Sequence, residues 1–194
     1  MKKIIVGITG ASGSILAHRF IENLLTLGHE VHLVVSSNGE AVLAYELEQG
    51  MDQLLLGYQA LPGQLYHYTN QDLFAPIASG SFRTDAMVII PCSMGTLSRI
   101  AQGTSDTLMT RATDVMLKEG RRLILVPRES PLSSIHLRNM LRLSHMGVTI
   151  MPPMPSFYNK PKTLEDSINH SVGRLLDALD IENPLHREWG ENHD

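Results

Sequence analysis

The segment Thr9-Gly10-Ala11-Ser12-Gly13-Ser14 sits between an apolar run and the first helical spacing. Glycines allow a backbone to approach a bound group closely, and a helix start offers amide donors and the positive end of a dipole, so this turn suits a phosphate. The competing reading is a tight strand-to-helix connection with Ser12 or Ser14 as an ordinary N-cap. Two glycines among small and hydroxyl residues favour the phosphate, and with it a nucleotide-type cofactor. Nicotinamide dinucleotides fit less well. The spacing of Gly7, Gly10 and Gly13 is not their fingerprint, and Val35-Ser36-Ser37 lacks the acid that would hold a ribose.

Further groups capable of chemistry follow other apolar runs. Ser36 could place a hydroxyl on a phosphate or ring oxygen, or serve as a turn residue. Pro91-Cys92-Ser93-Met94-Gly95-Thr96-Leu97 repeats the combination of small and hydroxyl residues at a helix start. Cys92 has no local His or acid to activate it, and a structural role is expected. Pro127-Arg128-Glu129-Ser130-Pro131 puts a cation beside an acid. As a surface ion pair these two matter little; at a ligand-binding edge Arg128 could hold an anion while Glu129 moves a proton. The proline-stiffened run Pro152 to Tyr158 presents a phenol, with Arg174 on the following helix as a cationic companion. A phosphate clamp is one reading of that pair, but from these two residues alone a packed aromatic and a solvated arginine is the preferred one. The nine histidines are dispersed, and no metal site is expected.

These segments need a scaffold that brings them to one edge. Ile4 to Ile8, Val31 to Val35, Ala86 to Ile90, Leu123 to Val126 and Val148 to Met151 read as strands, the first buried on both faces. Between them run helical spacings: Ser14 to Leu27, Glu40 to Glu48, Leu97 to Ala101, Thr107 to Leu117 and Ser133 to Met146. A last helix starts at Thr163, with Asp166 three residues on as a capping partner. Residues 50–78 show no sustained period and read as loops with short helical or extended pieces. Alternating strands and helices imply right-handed crossovers and an α/β doubly wound open parallel sheet with helices on both faces, Rossmann-like or flavodoxin-like. One domain over 1–182 with a polar tail over 183–194 is expected.

A chain of 194 residues with 43% hydrophobic content can bury one substantial core. A formal charge of -4 without a long Lys/Arg run argues against nucleic acid or anionic lipid as the main partner. The single cysteine suits a reducing, cytoplasmic compartment. The apolar start is too short for a signal-peptide core or a membrane span.

Taken together, Gly10-Ala11-Ser12-Gly13, Ala78-Ser79-Gly80-Ser81-Phe82, Pro91-Cys92-Ser93, Arg111 to Glu119, Pro127-Arg128-Glu129 and Pro153 to Tyr158 resemble the UbiX flavin prenyltransferases over nearly the whole chain. The resemblance implies a homo-oligomer, dodecameric in the family, that binds reduced FMN as a substrate. It would attach a dimethylallyl group from dimethylallyl monophosphate to flavin N5 and C6 without a metal and pass the prenylated FMN to a UbiD-type decarboxylase. By matching position, Gly10, Ala11, Ser12, Ser36, Ser93, Met94, Gly95, Thr96 and Arg128 would contact the flavin. Lys118, Tyr158 and Arg174 would bind the prenyl phosphate, with Arg111 nearby. Ser12, Glu46 and Glu129 would manage protons, Glu129 as the leading acid/base group, and Trp189 would be an aromatic of the tail. Two departures stand out. Leu73-Phe74 occupies the place of a tryptophan found in some relatives, and Gly120-Arg121-Arg122 differs from the usual Glu-Arg-Arg-Pro.

Two other activities compete. A flavoprotein decarboxylase would oxidise its substrate directly. An NAD(P)-dependent reductase is suggested by the spacing of Tyr158 and Lys162, but Pro161 disfavours the continuous helix that such a pair requires.

Overall fold

The computed structural model describes residues 1–185. The chain forms two compact units, Met1–Pro152 and Pro153–Asp194.

In the first unit, β1 (Lys3–Ile8), β2 (Glu30–Val35), β3 (Gln64–Thr69), β4 (Ala86–Cys92), β5 (Arg122–Pro127) and β6 (Thr149–Ile150) form one sheet in the order β3-β2-β1-β4-β5-β6. Every pairing is parallel; Val6, for example, lies opposite Leu33 on one side and Val88 on the other. Helices α1 (Ser14–Thr26), α2 (Ser37–Leu47), α3 (Met51–Gln59), α4 (Met94–Ala101), α5 (Leu108–Lys118) and α6 (Ser134–His145) connect the strands. On one face, Ile5, Met87, Ile89 and Leu125 pack with Leu97 of α4, Ala112 of α5 and Leu143 of α6. Ile4, Val6 and Ile8 alternate to the other face. There α1 supplies the cover, with Phe20, Ile21 and Leu24 fully buried.

The second unit contains α7 (Leu164–Asp177). As the sequence predicts, the Thr163 side chain accepts from the Asp166 amide and the Asp166 carboxylate accepts from the Thr163 amide.

Residues 50–78, read from sequence as loops, contain α3, the edge strand β3 and a short 3₁₀ turn at Pro76–Ala78. β3 escapes a periodicity test because it pairs only with β2 and its Gln-Leu-Tyr-His-Tyr-Thr sequence buries none of its residues fully. β4 also extends past its expected end through Pro91 to Cys92, where the pairing with β5 becomes irregular. In α6 the apolar spacing does not mark a wholly buried face. Leu143 is buried, whereas Ile135, Leu137 and Leu141 are 63%, 53% and 57% exposed.

Near the amino ends of the strands lies a polar cluster inside the fold. His32 Nε2 is 2.8 Å from Glu30 Oε1, His32 Nδ1 is 2.9 Å from the Tyr68 hydroxyl, and Lys3 Nζ is 3.0 Å from Glu30. Burial pulls the His32 pKa down and Glu30 only partly restores it. For Glu30, burial acts upward, but hydrogen bonds from Lys3 and His32 outweigh it and leave the carboxyl below its ordinary value.

Two predictions concern this core. Cys92 is fully buried, and burial pushes its thiol up to about 12. As the chain's one cysteine, it should not react with an aromatic disulfide reagent in the native protein and should titrate stoichiometrically in denaturant. Burial also lowers the pKa of His18, His29, His32 and His67. The unfolded chain therefore binds more protons than the folded one as pH falls below the ordinary histidine value of about 6.5, and stability is lost in that direction. The lowered carboxyls of Glu30 and Glu46 extend the loss below about pH 4.5. Urea midpoints should fall steadily from pH 7.5 to 5.5, and a flat or rising midpoint contradicts the assignment.

Candidate functional site

The direction of winding reverses between β1 and β4, which is where ligands bind in open parallel sheets. The strand ends are joined there by Thr9, which is 1% exposed. Its amide and hydroxyl both donate to the Pro91 carbonyl, at 3.2 and 2.7 Å, and its hydroxyl accepts from the Ser93 amide at 2.7 Å. One side chain thus fixes the turn after β1 relative to the turn after β4.

Helix α2 crosses the first turn. A Cβ on Gly10 would lie 2.5 Å from Asn38 Cβ, and one on Gly39 would lie 2.7 Å from the Ile8 carbonyl oxygen. Gly10 is therefore required by packing against a protein helix, a different reason from the approach to a phosphate expected from sequence. At the other end of α2, Glu46 accepts from the Gly13 amide at 3.0 Å and the Ser14 amide at 2.7 Å. This corrects the expectation that the start of α1 offers free donors, because a resident carboxylate occupies it. Gly13, with φ 117°, is the N-cap of α1, so neither Ser12 nor Ser14 fills that role. Partial burial raises the Glu46 pKa, but bonds from the Ser12 hydroxyl and the Ser14 and Gly13 amides outweigh it and hold the carboxyl below its ordinary value.

Two neighbouring helix starts are open. Ser36 caps α2 by accepting from the Gly39 amide, and Ser93 caps α4 by accepting from the Thr96 amide at 3.3 Å. The Ser93 hydroxyl also bonds the Thr96 hydroxyl. Among the described residues the amides of Ser37, Asn38, Met94 and Gly95 have no protein acceptor. Nothing lies within 4 Å of where a Gly95 Cβ would stand. Met94 turns its side chain into the core, so only its backbone is available to a ligand. At the end of β5, Arg128 and Glu129 are exposed and form no ion pair with each other. Glu129 accepts from the Ser130 amide at 3.0 Å, and the Arg128 side chain has no partner among the described residues.

Arg111 and Lys118 belong elsewhere in the first unit. They lie on α5, which runs from the carboxyl edge of the sheet toward the amino end of β5. Arg111 donates to the Ala78 carbonyl at 3.0 Å and to Asp114 at 2.7 Å, and Lys118 pairs with Glu119. Glu119 and Arg121 line a cleft with Lys3, Glu30 and Asp85, at the amino ends of β1, β2 and β4. Within one chain the structure therefore separates Lys118 from Ser12, Glu46, Arg128 and Glu129, which gather at the carboxyl edge. In the second unit, the exposed Tyr158 meets His170 edge to face and Arg174 lies 3.7 Å from Asp177. Trp189 lies outside the described residues.

Thr9 received no role from sequence, although a hydroxyl immediately before the glycine turn was the available signal. Sequence marks Arg121 only as part of a departure from the family pattern, yet it donates to the carbonyls of Gly80 and Phe82. Among the described residues no group of three or more His, Cys, Asp or Glu could hold a metal ion, and no helix is long and apolar enough to cross a membrane.

Residues 1–178 match the family model described as Flavoprotein. The flavin prenyltransferase UbiX of Halalkalibacterium halodurans is 50% identical over 196 residues, covering 97% of this chain and 94% of that protein. The crystal structure of AnUbiX (PadA1) in complex with FMN and dimethylallyl pyrophosphate is similar with a TM-score of 0.92 and 44% identity, covering 99% of each chain. A dodecameric FMN-dependent UbiX-like decarboxylase from Escherichia coli O157:H7 gives a TM-score of 0.91 and 45% identity, covering 97% of this chain and all of that one. With this degree of identity along almost its full length, the chain belongs to the UbiX flavin prenyltransferases within the flavoprotein family.

Proposed function

We propose that this chain transfers a dimethylallyl group from dimethylallyl monophosphate to N5 and C6 of reduced FMN, and that prenylated FMN passes to a UbiD-type decarboxylase. The observation that supports it most directly is the unsatisfied donor set at the carboxyl edge: the amides of Ser37, Asn38, Met94 and Gly95 with the uncommitted Arg128 guanidinium. Those donors, and the open space at Gly95, fit a flavin mononucleotide with an anionic phosphate and a polar ring edge. Ser36, Ser93 and Thr96 would contact it from the two caps, and Gly10, Ala11 and Ser12 from the first turn. When bound, reduced FMN supplies the two ring positions that accept the prenyl group.

Transfer breaks the allylic C–O bond, and the electron pair leaves with phosphate. Lys118 and Arg111 would stabilise the departing charge; the same role is proposed for Tyr158 and Arg174 by family resemblance. Formation of two new bonds releases protons, and Glu129 is the proposed group that moves them. Glu46, anchored on the start of α1 and bonded to Ser12, would hold the Ser12 hydroxyl in register for proton traffic beside the flavin.

The separation of Lys118 from the carboxyl edge is accounted for by assembly: a second copy would bring its α5 to this chain's flavin site. Large apolar side chains left exposed on the chain, with Phe74 at 100%, Tyr45 at 87% and Ile135 at 63%, favour such contacts. The dodecameric relative points the same way.

Anaerobic incubation with reduced FMN should give a flavin carrying one added dimethylallyl unit by mass. Parallel arms with dimethylallyl monophosphate and diphosphate identify the leaving group, and no mass increase in either arm overturns the reading. Glu129→Gln should retain FMN and lower product formation by about 10²–10⁴-fold; unchanged turnover removes Glu129 from the proton path. Glu46→Gln should lower it as well and cost about 1 kcal/mol of stability, because a charge-assisted helix cap is lost. Co-assembly of Lys118→Ala chains with Glu129→Gln chains should restore activity at about a quarter of the sites, whereas a site built within one chain would stay inactive in the mixture.

A further inference from the structure

The loop from Ala78 to Phe82 is held through its backbone by two arginines. Arg121 Nη2 donates to the Gly80 carbonyl at 2.6 Å and Nη1 to the Phe82 carbonyl at 2.9 Å, while Arg111 Nε donates to the Ala78 carbonyl at 3.0 Å. Two guanidinium groups thus fix three carbonyls of one short loop. Side-chain crowding shows how close this brings it to α5. A Cβ on Gly80 would stand 2.9 Å from Lys118 Nζ and 2.4 Å from Glu119 Oε1. With its carbonyl turned to Arg121, Gly80 leaves its amide without an acceptor among the described residues. The Glu119 carboxylate already lies at this place, one oxygen on Lys118 and the other 4.0 Å from Arg121. An anionic oxygen therefore fits here.

We infer that Arg121 is a positioning residue: by gripping the Gly80 and Phe82 carbonyls it holds the Gly80 amide beside the Lys118 ammonium as one phosphate-binding site. The inference deepens the proposed function and rests on the reading of Lys118 as the group that meets the prenyl phosphate. Arg121 touches no substrate in this scheme. Its planar fork spans two carbonyls that a lysine ammonium cannot span in the same way. A methyl group at position 80 would displace the flexible ends of Lys118 and Glu119 from this place.

The test uses the assembled full-length protein and compares wild type with Arg121→Gln, Arg121→Lys and Gly80→Ala. Steady-state KM for dimethylallyl monophosphate, KM for reduced FMN, kcat and the calorimetric Kd of inorganic phosphate are measured. Arg121→Gln should raise KM for the prenyl phosphate and weaken inorganic phosphate by about tenfold, with KM for FMN unchanged. Arg121→Lys should recover only part of that loss. If Arg121→Gln does not fold, Gly80→Ala carries the test, with the same selective loss expected. Wild-type phosphate affinity in these variants, equal loss of both substrates, full recovery by Arg121→Lys, or a wild-type protein that binds no phosphate would each overturn the inference. A wild-type protein that forms no prenylated flavin but binds inorganic phosphate in an Arg121-dependent way would keep the positioning role and remove the prenyltransferase reading.

Discussion

Two parallel strands whose following helices wind away in opposite directions leave a crevice between their carboxyl ends, and the chain must hold that crevice at a fixed width. Thr9 does so with one buried hydroxyl that donates to Pro91 and accepts from Ser93. Because Ser93 is also the cap of α4, the same contact sets the direction in which that helix presents its unpaired amides. A substitution that removed the hydroxyl would leave the Ser93 amide unpaired and the Pro91 carbonyl with the Thr9 amide alone, at the point where the sheet is divided.

Charge at this edge is arranged around that geometry. One helix start, that of α1, is neutralised internally by Glu46, and the starts of α2 and α4 are left open. The open amides thus lie away from the glycine turn that most resembles a phosphate loop. The Glu46 carboxylate is held ionised by its amide bonds and by Ser12, so α1 is capped by a full negative charge.

The opposite edge carries its own polar assembly. Lys3, Glu30 and His32 are joined through hydrogen bonds, and Lys118, Glu119 and Arg121 surround the backbone of the Gly80 loop. Lys3 there is committed to a carboxylate and Arg121 to two backbone carbonyls. Lys118 differs in that its partner is the carboxylate of the next residue, Glu119.

The doubly wound fold was legible because a parallel sheet buried on both faces writes long apolar runs such as Ile4 to Ile8, and its helices write periodic ones such as Ser14 to Thr26. β3 was not, because an edge strand paired on one side needs no apolar run. The residue types of the site, including Ser12, Ser93, Arg128 and Glu129, could be read as well, since each follows a strand and topology gathers strand ends. Which donors remain free could not be read. The sequence presents the first turn as available, but Glu46, 33 residues away from Gly13, occupies its amides, and α5 carries Lys118 toward the other edge of the sheet. Sequence by itself determined the scaffold and the chemical inventory, because burial and periodicity are local properties of the chain. Tertiary structure alone decided which groups are satisfied and which are open, because hydrogen-bond partners are assigned by three-dimensional proximity, which spacing along the chain does not encode.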